Sequence, residues 1–358
     1  MIAFFKAAVA FFTSLIVILF PISPATVGGE DKFFYDWNES LAYSSDEYAI
    51  SLEKTPGKDF VVLNFTDVQL QDIESYGAAG ELAEKTMDKL ITEVQPDLIT
   101  MTGDNAWAPL AYLKLIKFID SYNIPWAAVM GNHDGQGLVS EFWAAYHMSE
   151  AKNCLFQCGP KDMGYGNYII NITENGKTIH TLFMLDTHSD AATGGYDHLW
   201  DNQISWYKWA VKGIAAENGG EVVQSSAFMH IPTNEYKDAW AVAWNADAGE
   251  YNPEYADTAF GKNTEGVCSP RDDNRNGFFD VCKELGSTKD MVAGHDHINC
   301  SSILYKGIRL SYGMKTGEGC YWTPEMNGGS TLTIASNGTT TFEHHYVDPA
   351  TVSSSTVC

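Results

Sequence analysis

Five short segments in fixed order constrain this chain more than anything else in it: Asp67-Val68-Gln69, Gly103-Asp104-Asn105, Gly131-Asn132-His133-Asp134, Met229-His230 and Gly294-His295-Asp296-His297. Each closes an apolar run that reads as a strand, and each offers oxygen or imidazole groups of the kind that ligate metal ions. One alone would be a turn with a polar tip. Five in series imply one site assembled from the ends of several strands. Asp67 and Gln69 stand two apart at a strand end, so both side chains are expected on one side with Val68 facing the core. Gly103 and Gly294 put the smallest residue where the backbone must turn sharply to present Asp104 and the His295–His297 pair.

Periodicity supports that reading. Phe60–Phe65, Leu98–Met101 and Trp126–Met130 read as strands, separated by helical patterns over Ala78–Val94 and Leu110–Ile119. Strand and helix alternating in this way predict right-handed crossovers and a parallel sheet, with the site beyond the carboxyl ends of the strands. In the second half, Tyr168–Ile172, Lys177–Leu185 and Ser226–Met229 read as strands, and Gln203–Ala215 and Phe278–Leu285 as helices. Ala239 to Asn276, rich in Asp, Asn and Gly, is expected to be a long loop over the site. Ile303–Tyr305, Ile308–Tyr312, Ser330–Ala335 and Thr339–Tyr346 read as antiparallel hairpin strands. The expected fold is α/β, a four-layer α/β/β/α sandwich formed by one domain over 58–347. A turn-rich surface segment, 26–57, precedes it, and a Ser/Thr-rich tail, 348–358, follows.

Ahead of the domain, Met1 to Lys6 leads into an apolar stretch from Ala7 to Phe20, and Ser23-Pro24-Ala25 supplies small residues for cleavage. A secretory signal peptide over 1–25 is expected, with an uncleaved anchor as the alternative. The protein would then be secreted or lumenal (extracellular, vacuolar or lysosomal), and free of the membrane once the leader is removed. No later segment approaches the ~20 apolar residues of a membrane span. The formal net charge is −24, and loss of Lys6, the one charged residue of the leader, makes it −24 − 1 = −25. Such a surface repels nucleic acid and anionic membranes. It still admits a small phosphorylated substrate, because bound divalent cations dominate the field inside a cleft.

Export would make the seven cysteines disulfide candidates. The nearest-neighbour pairs Cys154–Cys158, Cys268–Cys282 and Cys300–Cys320 are expected, with Cys358 left over. Glycosylation sequons begin at Asn38, Asn171, Asn299 and Asn337; a fifth, at Asn64, lies inside a strand and is expected to stay unmodified.

The ordered series resembles that of the calcineurin-like metallophosphoesterases. Further matches at Leu185-Asp186-Thr187, the Gln203 to Trp209 helix, Met229-His230-Ile231-Pro232 and Gly294 through Tyr312 are similar to the shorter secreted, purple-acid-phosphatase-like members of plants and fungi. The likeness runs from Phe60 to Tyr346, and the five-motif order is specific. It implies two divalent metal ions, Mn, Fe or Zn. Asp67, Gln69, Asp104 and His297 would hold one; Asp104, Asn132, His230 and His295 would hold the other. Asp104 would thus serve both, and His133 would act at the leaving-group oxygen or the phosphate, as general acid or charge stabiliser. Paired cations about 3.5–4 Å apart clamp a phosphoryl group and lower the pKa of a shared water. The activity implied is hydrolysis of phosphoric esters, monoesters first. Diesters of nucleotides or lipid head groups remain open, as does a metal-free binding protein.

Two departures matter. Gln69 stands where many members carry histidine, and its harder amide oxygen favours Mn²⁺, Mg²⁺ or Fe²⁺ over Zn²⁺. Purple acid phosphatases proper carry a tyrosine three residues after the Gly-Asp aspartate; here that residue is Trp107, whose indole can only donate, so a colourless protein is expected. His188 is a candidate for the substrate rim, Asp134 and Asp296 for orienting imidazoles, and Trp240 and Trp244 for touching substrate. Trp200, Trp206 and Trp209 are expected in the core.

Overall fold

Three parallel strands, Phe60–Phe65, Leu98–Thr102 and Trp126–Val129, are almost wholly buried, which is why they read as apolar runs instead of alternating ones. In this computed structural model, which describes residues 29–71, 80–136 and 140–353, they form one side of a five-stranded sheet. Gly328–Ile334 pairs antiparallel with Phe60–Phe65, and Thr340–Tyr346 closes that edge. The expected leader, the first residues of the helix begun at Ala78, and Cys358 lie outside the described residues.

A second sheet has eight strands. Thr288–Ala293, Gln224–Phe228 and Lys177–Met184 run parallel at its centre, with Ile308–Tyr312 and Ser302–Tyr305 on one side and Tyr168–Glu174 on the other. Its strands alternate between two cores. Ile170, Leu182, Met184, Phe228 and Val292 pack toward the five-stranded sheet. Ile169, Phe183, Ala227, Met291 and Ala293 pack the other way, under the helices Asp201–Glu217, Asn234–Ala243 and Phe278–Leu285. The helices Glu81–Val94, Pro109–Asp120 and Glu141–Ser149 cover the five-stranded sheet with residues such as Met87, Leu115 and Trp143. The result is the expected order: helices, sheet, sheet, helices.

Several expectations need correction. Ala49–Glu53, in the segment read as a surface approach, is an edge strand parallel to Tyr168–Glu174. Its short apolar content hid it. Pro349–Ser353, in the expected tail, is a short helix whose Val352 is buried in the main core. Ala239 to Asn276 is not a long loop. The helix Asn234–Ala243 enters it, Trp244–Asn245 pairs with Glu250–Tyr251, and Ala259–Phe260 extends the eight-stranded sheet. Its later part, from Lys262 to Cys268, docks on the turn from Asp296 to Ser301.

The six described cysteines are free thiols, so none of the three expected pairs forms. Asn171 and Asn299 are buried and hydrogen-bonded to Thr181 and to the backbone of Thr264, which leaves Asn38 and Asn337 as exposed sequons. Asn64 is buried, as expected, and bonded to Thr100 and Thr102.

Candidate metal centre

The two sheets present the carboxyl ends of their central strands to one place. Asp67, Gln69, Asp104, Asn132 and His133 come from the five-stranded sheet, and His230, His295 and His297 from the eight-stranded one. All but His133 are buried. Close approach depends on the glycines: a Cβ at Gly103 would sit 2.6 Å from His230 Nδ1, and one at Gly294 would sit 2.1 Å from Thr66 Oγ1.

Asp67 and Gln69 face the same cavity, with Val68 in the core, but not by strand alternation. Both are left-handed, at φ 52° and 46°, as are Asp104 at 52° and His295 at 76°. Such conformations cost non-glycine residues energy and persist where the surroundings impose them, typically at functional sites. Here Asp67 N–H donates to Gly103 O at 3.1 Å and Gln69 N–H to Asp104 O at 2.8 Å, tying the first turn to the second.

The side chains form one connected set. Gln69 Nε2 donates to Asp104 Oδ2 at 2.8 Å, while Asp104 Oδ1 accepts the His133 N–H at 2.9 Å and lies 3.3 Å from His230 Nε2. The two oxygens of Asp104 thus face different neighbours. His230 Nε2 is 3.0 Å from Asn132 Oδ1, and His297 Nε2 is 3.4 Å from Asp67 Oδ1. The Nδ1 atoms of His230 and His297 meet the carbonyls of Thr102 and Tyr321, at 2.7 and 2.8 Å. A carbonyl only accepts, so in both rings Nδ1 carries the proton and Nε2 turns toward the cavity.

Asp67, Asp104 and His297 each bring one ligand atom within 4.8 Å of the others. Asp67 Oδ1, Gln69 Oε1 and His295 Nε2 are buried with no hydrogen-bond partner. Buried acceptors are ordinarily satisfied, so a set of orphans converging on one cavity fits a cation. The charges fit as well. Burial alone would raise the Asp67 carboxyl, but His297 and His230 outweigh it and hold it below the usual carboxylate range. Burial would lower His230, yet Asp104 holds its proton up to about 10. Burial and the His230 charge push His295 down to about 3. His230 therefore stays an imidazolium beside the carboxylates, a positive charge that a bound cation would replace.

His133 sits at the mouth, its side chain 32% exposed, with Nε2 3.9 Å from Asp104 Oδ2 and Nδ1 held by Gln136 Oε1 at 2.7 Å. Trp107 lies over its ring at 4.4 Å. Other candidates fall elsewhere. His188 stacks on Trp200 at 3.8 Å and bonds Gln203, so it braces a helix start instead of lining the rim. Asp134 touches no imidazole; it binds Gly131 N, Asn105 N and the Tyr112 hydroxyl, clamping two motif turns together. Asp296 holds Tyr312 and Cys268. Trp240 and Trp244 stack on one another at 4.7 Å beside Tyr251, and Trp240 and Tyr251 pack against the outer core. Trp206 is buried as expected, Trp209 partly, and Trp200 is 38% exposed.

Sequence reasoning missed three neighbours of the centre. Tyr321 stacks on His297 at 4.1 Å, Tyr196 meets His295 edge-on at 4.3 Å, and Lys315 Nζ donates to the Asp67 carbonyl at 2.5 Å. The one signal available was Lys315 itself, a lone cation in the glycine-flanked segment Gly313 to Gly317.

A family model described as calcineurin-like phosphoesterase matches residues 60–299. Two curated relatives from Arabidopsis thaliana are named probable inactive purple acid phosphatase 14 and 29. They are 26% and 25% identical, over 63% and 66% of this chain and 60% and 63% of their own lengths. Phosphatase DCR2 of Saccharomyces cerevisiae is 28% identical over 71% of this chain and 46% of its own. The chain thus spans less than two thirds of each relative. The family match covers more than half of the sequence and every one of the five motifs through His297: the chain belongs to the calcineurin-like phosphoesterase family.

Proposed function

We propose that this chain is a phosphoesterase that binds two divalent cations and hydrolyses small phosphomonoesters, exported by way of its apolar leader. The observation that carries the reading is the convergence of seven candidate ligands from two sheets, three of them with buried acceptor atoms that have no partner. When bound, the cations would draw charge off the phosphoryl oxygens and lower the pKa of a water held between them. Asp67, Gln69, Asp104 and His297 would hold one; Asp104, Asn132, His230 and His295 the other.

The chain's own part can be stated residue by residue. Asp104 offers an oxygen to each side. His230 and His297 have their ring protons fixed by carbonyls, so their Nε2 atoms are pre-aimed. His133, at the mouth and held by Gln136, would give a proton to the departing alkoxide. The Gln69 amide favours Mn²⁺ or Fe²⁺ at its position. Among the described residues no helix is long and apolar enough to cross a membrane.

Two relatives bear names that call them inactive, which makes a retired hydrolase the competing reading. Here each candidate position holds a group able to ligate. The deciding experiment compares p-nitrophenyl phosphate with bis-p-nitrophenyl phosphate, using protein loaded with Mn²⁺, Fe²⁺ or Zn²⁺ beside an Asp104→Asn control. Faster monoester turnover that vanishes in the control is expected. Faster diester turnover would move the substrate to nucleotides or lipid head groups. Equal inactivity of both proteins with every metal would sink the enzyme reading.

A further inference from the structure

Lys315 is 2% exposed, far below what a lysine ordinarily tolerates. Its backbone is pinned on both sides: Lys315 pairs with Thr66 in a parallel bridge, the next residue, Thr316, donates to Thr66 O at 3.0 Å, and Gly328 N–H donates to Lys315 O at 3.0 Å. From there the side chain reaches the main-chain carbonyl of Asp67. That carbonyl belongs to a left-handed residue, and the turn it shapes carries two candidate ligands, Asp67 and Gln69. The rest of Asp67 is held as well. Its N–H donates to Gly103 O, and Oδ2 accepts from His295 N at 3.0 Å and Thr66 Oγ1 at 2.8 Å. With the carbonyl also taken, Oδ1 is left as the one free acceptor, facing His297.

We propose that Lys315 is a positioning residue of the metal centre: by holding the Asp67 carbonyl it locks the left-handed turn that aims Asp67 Oδ1 and Gln69 Oε1 at the same ion as His297. This rests on the two-cation reading above and deepens it. A buried ammonium beside a cation site is otherwise hard to explain. Asp67, Asp104 and Glu318 attract its charge in the metal-free protein, but that charge opposes a bound cation, and what Lys315 offers the loaded centre is its hold on the Asp67 carbonyl.

That opposition gives the test a sign. Lys315→Met removes a positive charge, which on its own would tighten cation binding. It also frees the Asp67 carbonyl, which would loosen the ligand turn. The full-length chain, stripped with chelator, would be titrated with Mn²⁺ by calorimetry, with the melting temperature of the metal-free protein measured alongside. For the wild type, two binding steps are expected. In Lys315→Met one step should weaken about 10- to 100-fold, the usual cost of losing a group that orients a ligand. The other step, built on Asn132, His230 and His295, should hold within about threefold, well short of that loss. Asn132→Ala should show the converse pattern. Lys315→Gln tolerates burial better but is too short to reach the carbonyl; it should weaken the same step and serves if the methionine variant does not fold. Unchanged or tighter binding in either folded Lys315 variant would overturn the proposal. So would equal weakening of both steps in parallel with a lower melting temperature, which marks a general structural role. A wild-type chain that binds no Mn²⁺ would overturn the metal-centre reading itself.

Discussion

Gln69 Nε2 donates to Asp104 Oδ2 at 2.8 Å, and the same amide leaves Oε1 buried without a partner. One side chain therefore braces the shared carboxylate and offers an oxygen to the cavity. Replacing it by histidine substitutes a softer nitrogen and removes the brace. Gln69→His should raise affinity for Zn²⁺ relative to Mn²⁺ by roughly tenfold, on the preference of imidazole for zinc. Competition titrations with the two metals measure this; an unchanged ratio would show that Gln69 does not reach the ion.

If His133 protonates the leaving group, its loss should matter most where the leaving group is poor. His133→Ala is expected to cost about 100-fold or more in kcat with an alkyl phosphate, and markedly less with p-nitrophenyl phosphate, whose phenolate departs unaided. Equal losses on both substrates would assign His133 to stabilising charge on the phosphate instead.

Trp107 occupies the place of the purple enzymes' tyrosine and lies over His133, with no oxygen to give iron. The iron-loaded protein should lack an intense visible absorption band. A strong visible band would require another phenolate ligand, since an indole N–H only donates.

The accessible sequons are Asn38 and Asn337, and each Oδ1 accepts from the hydroxyl two residues on, Ser40 or Thr339. Expressed through a secretory pathway, the chain should carry glycans at these two sites and none at Asn171 or Asn299. Deglycosylation followed by peptide mass mapping reads this directly. Glycans on Asn171 would mean that the strand Tyr168–Glu174 is open when modification occurs.

Burial, together with the charges of Asp186 and Asp134, raises the Glu141 carboxyl to about 7. Its folded value lies above the unfolded one, so its contribution is complete below about pH 4.5 and is lost as pH rises through 7. Glu141 should therefore take about 2 kcal/mol from the stability of the metal-free protein between pH 5 and pH 8, as its part of the slope of melting against pH. Glu141→Gln should flatten that slope; an identical slope would show that Glu141 is solvated in solution.

The helices and central strands were legible because continuous apolar runs and helical spacing are strong signals. Phe278–Leu285 and Ile308–Tyr312 match to the residue. The candidate ligand set was legible because strand ends in a parallel sheet gather whatever they carry. What escaped notice is non-local. Nothing in Asp67-Val68-Gln69 announces left-handed backbone, and nothing near Lys315 says that its side chain ends on Asp67, 248 residues away in sequence. Asp134 and Asp296, adjacent to site histidines, turn away from them because neighbours along a turn face different elements. The edge strand Ala49–Glu53 depends on a partner far along the chain and carries too few apolar residues to declare itself.

The candidate ligands are divided between the two sheets, Asp67, Gln69, Asp104 and Asn132 on one and the three histidines on the other. A cation bound among them is a rivet through the seam of the sandwich. Its binding free energy is then also cohesion between the halves, gained by the native state alone and growing with the logarithm of free metal. Prising the sheets apart would expel the ion, and losing the ion would slacken the sheets. In such a protein starvation for metal would show as weakened architecture as well as lost turnover.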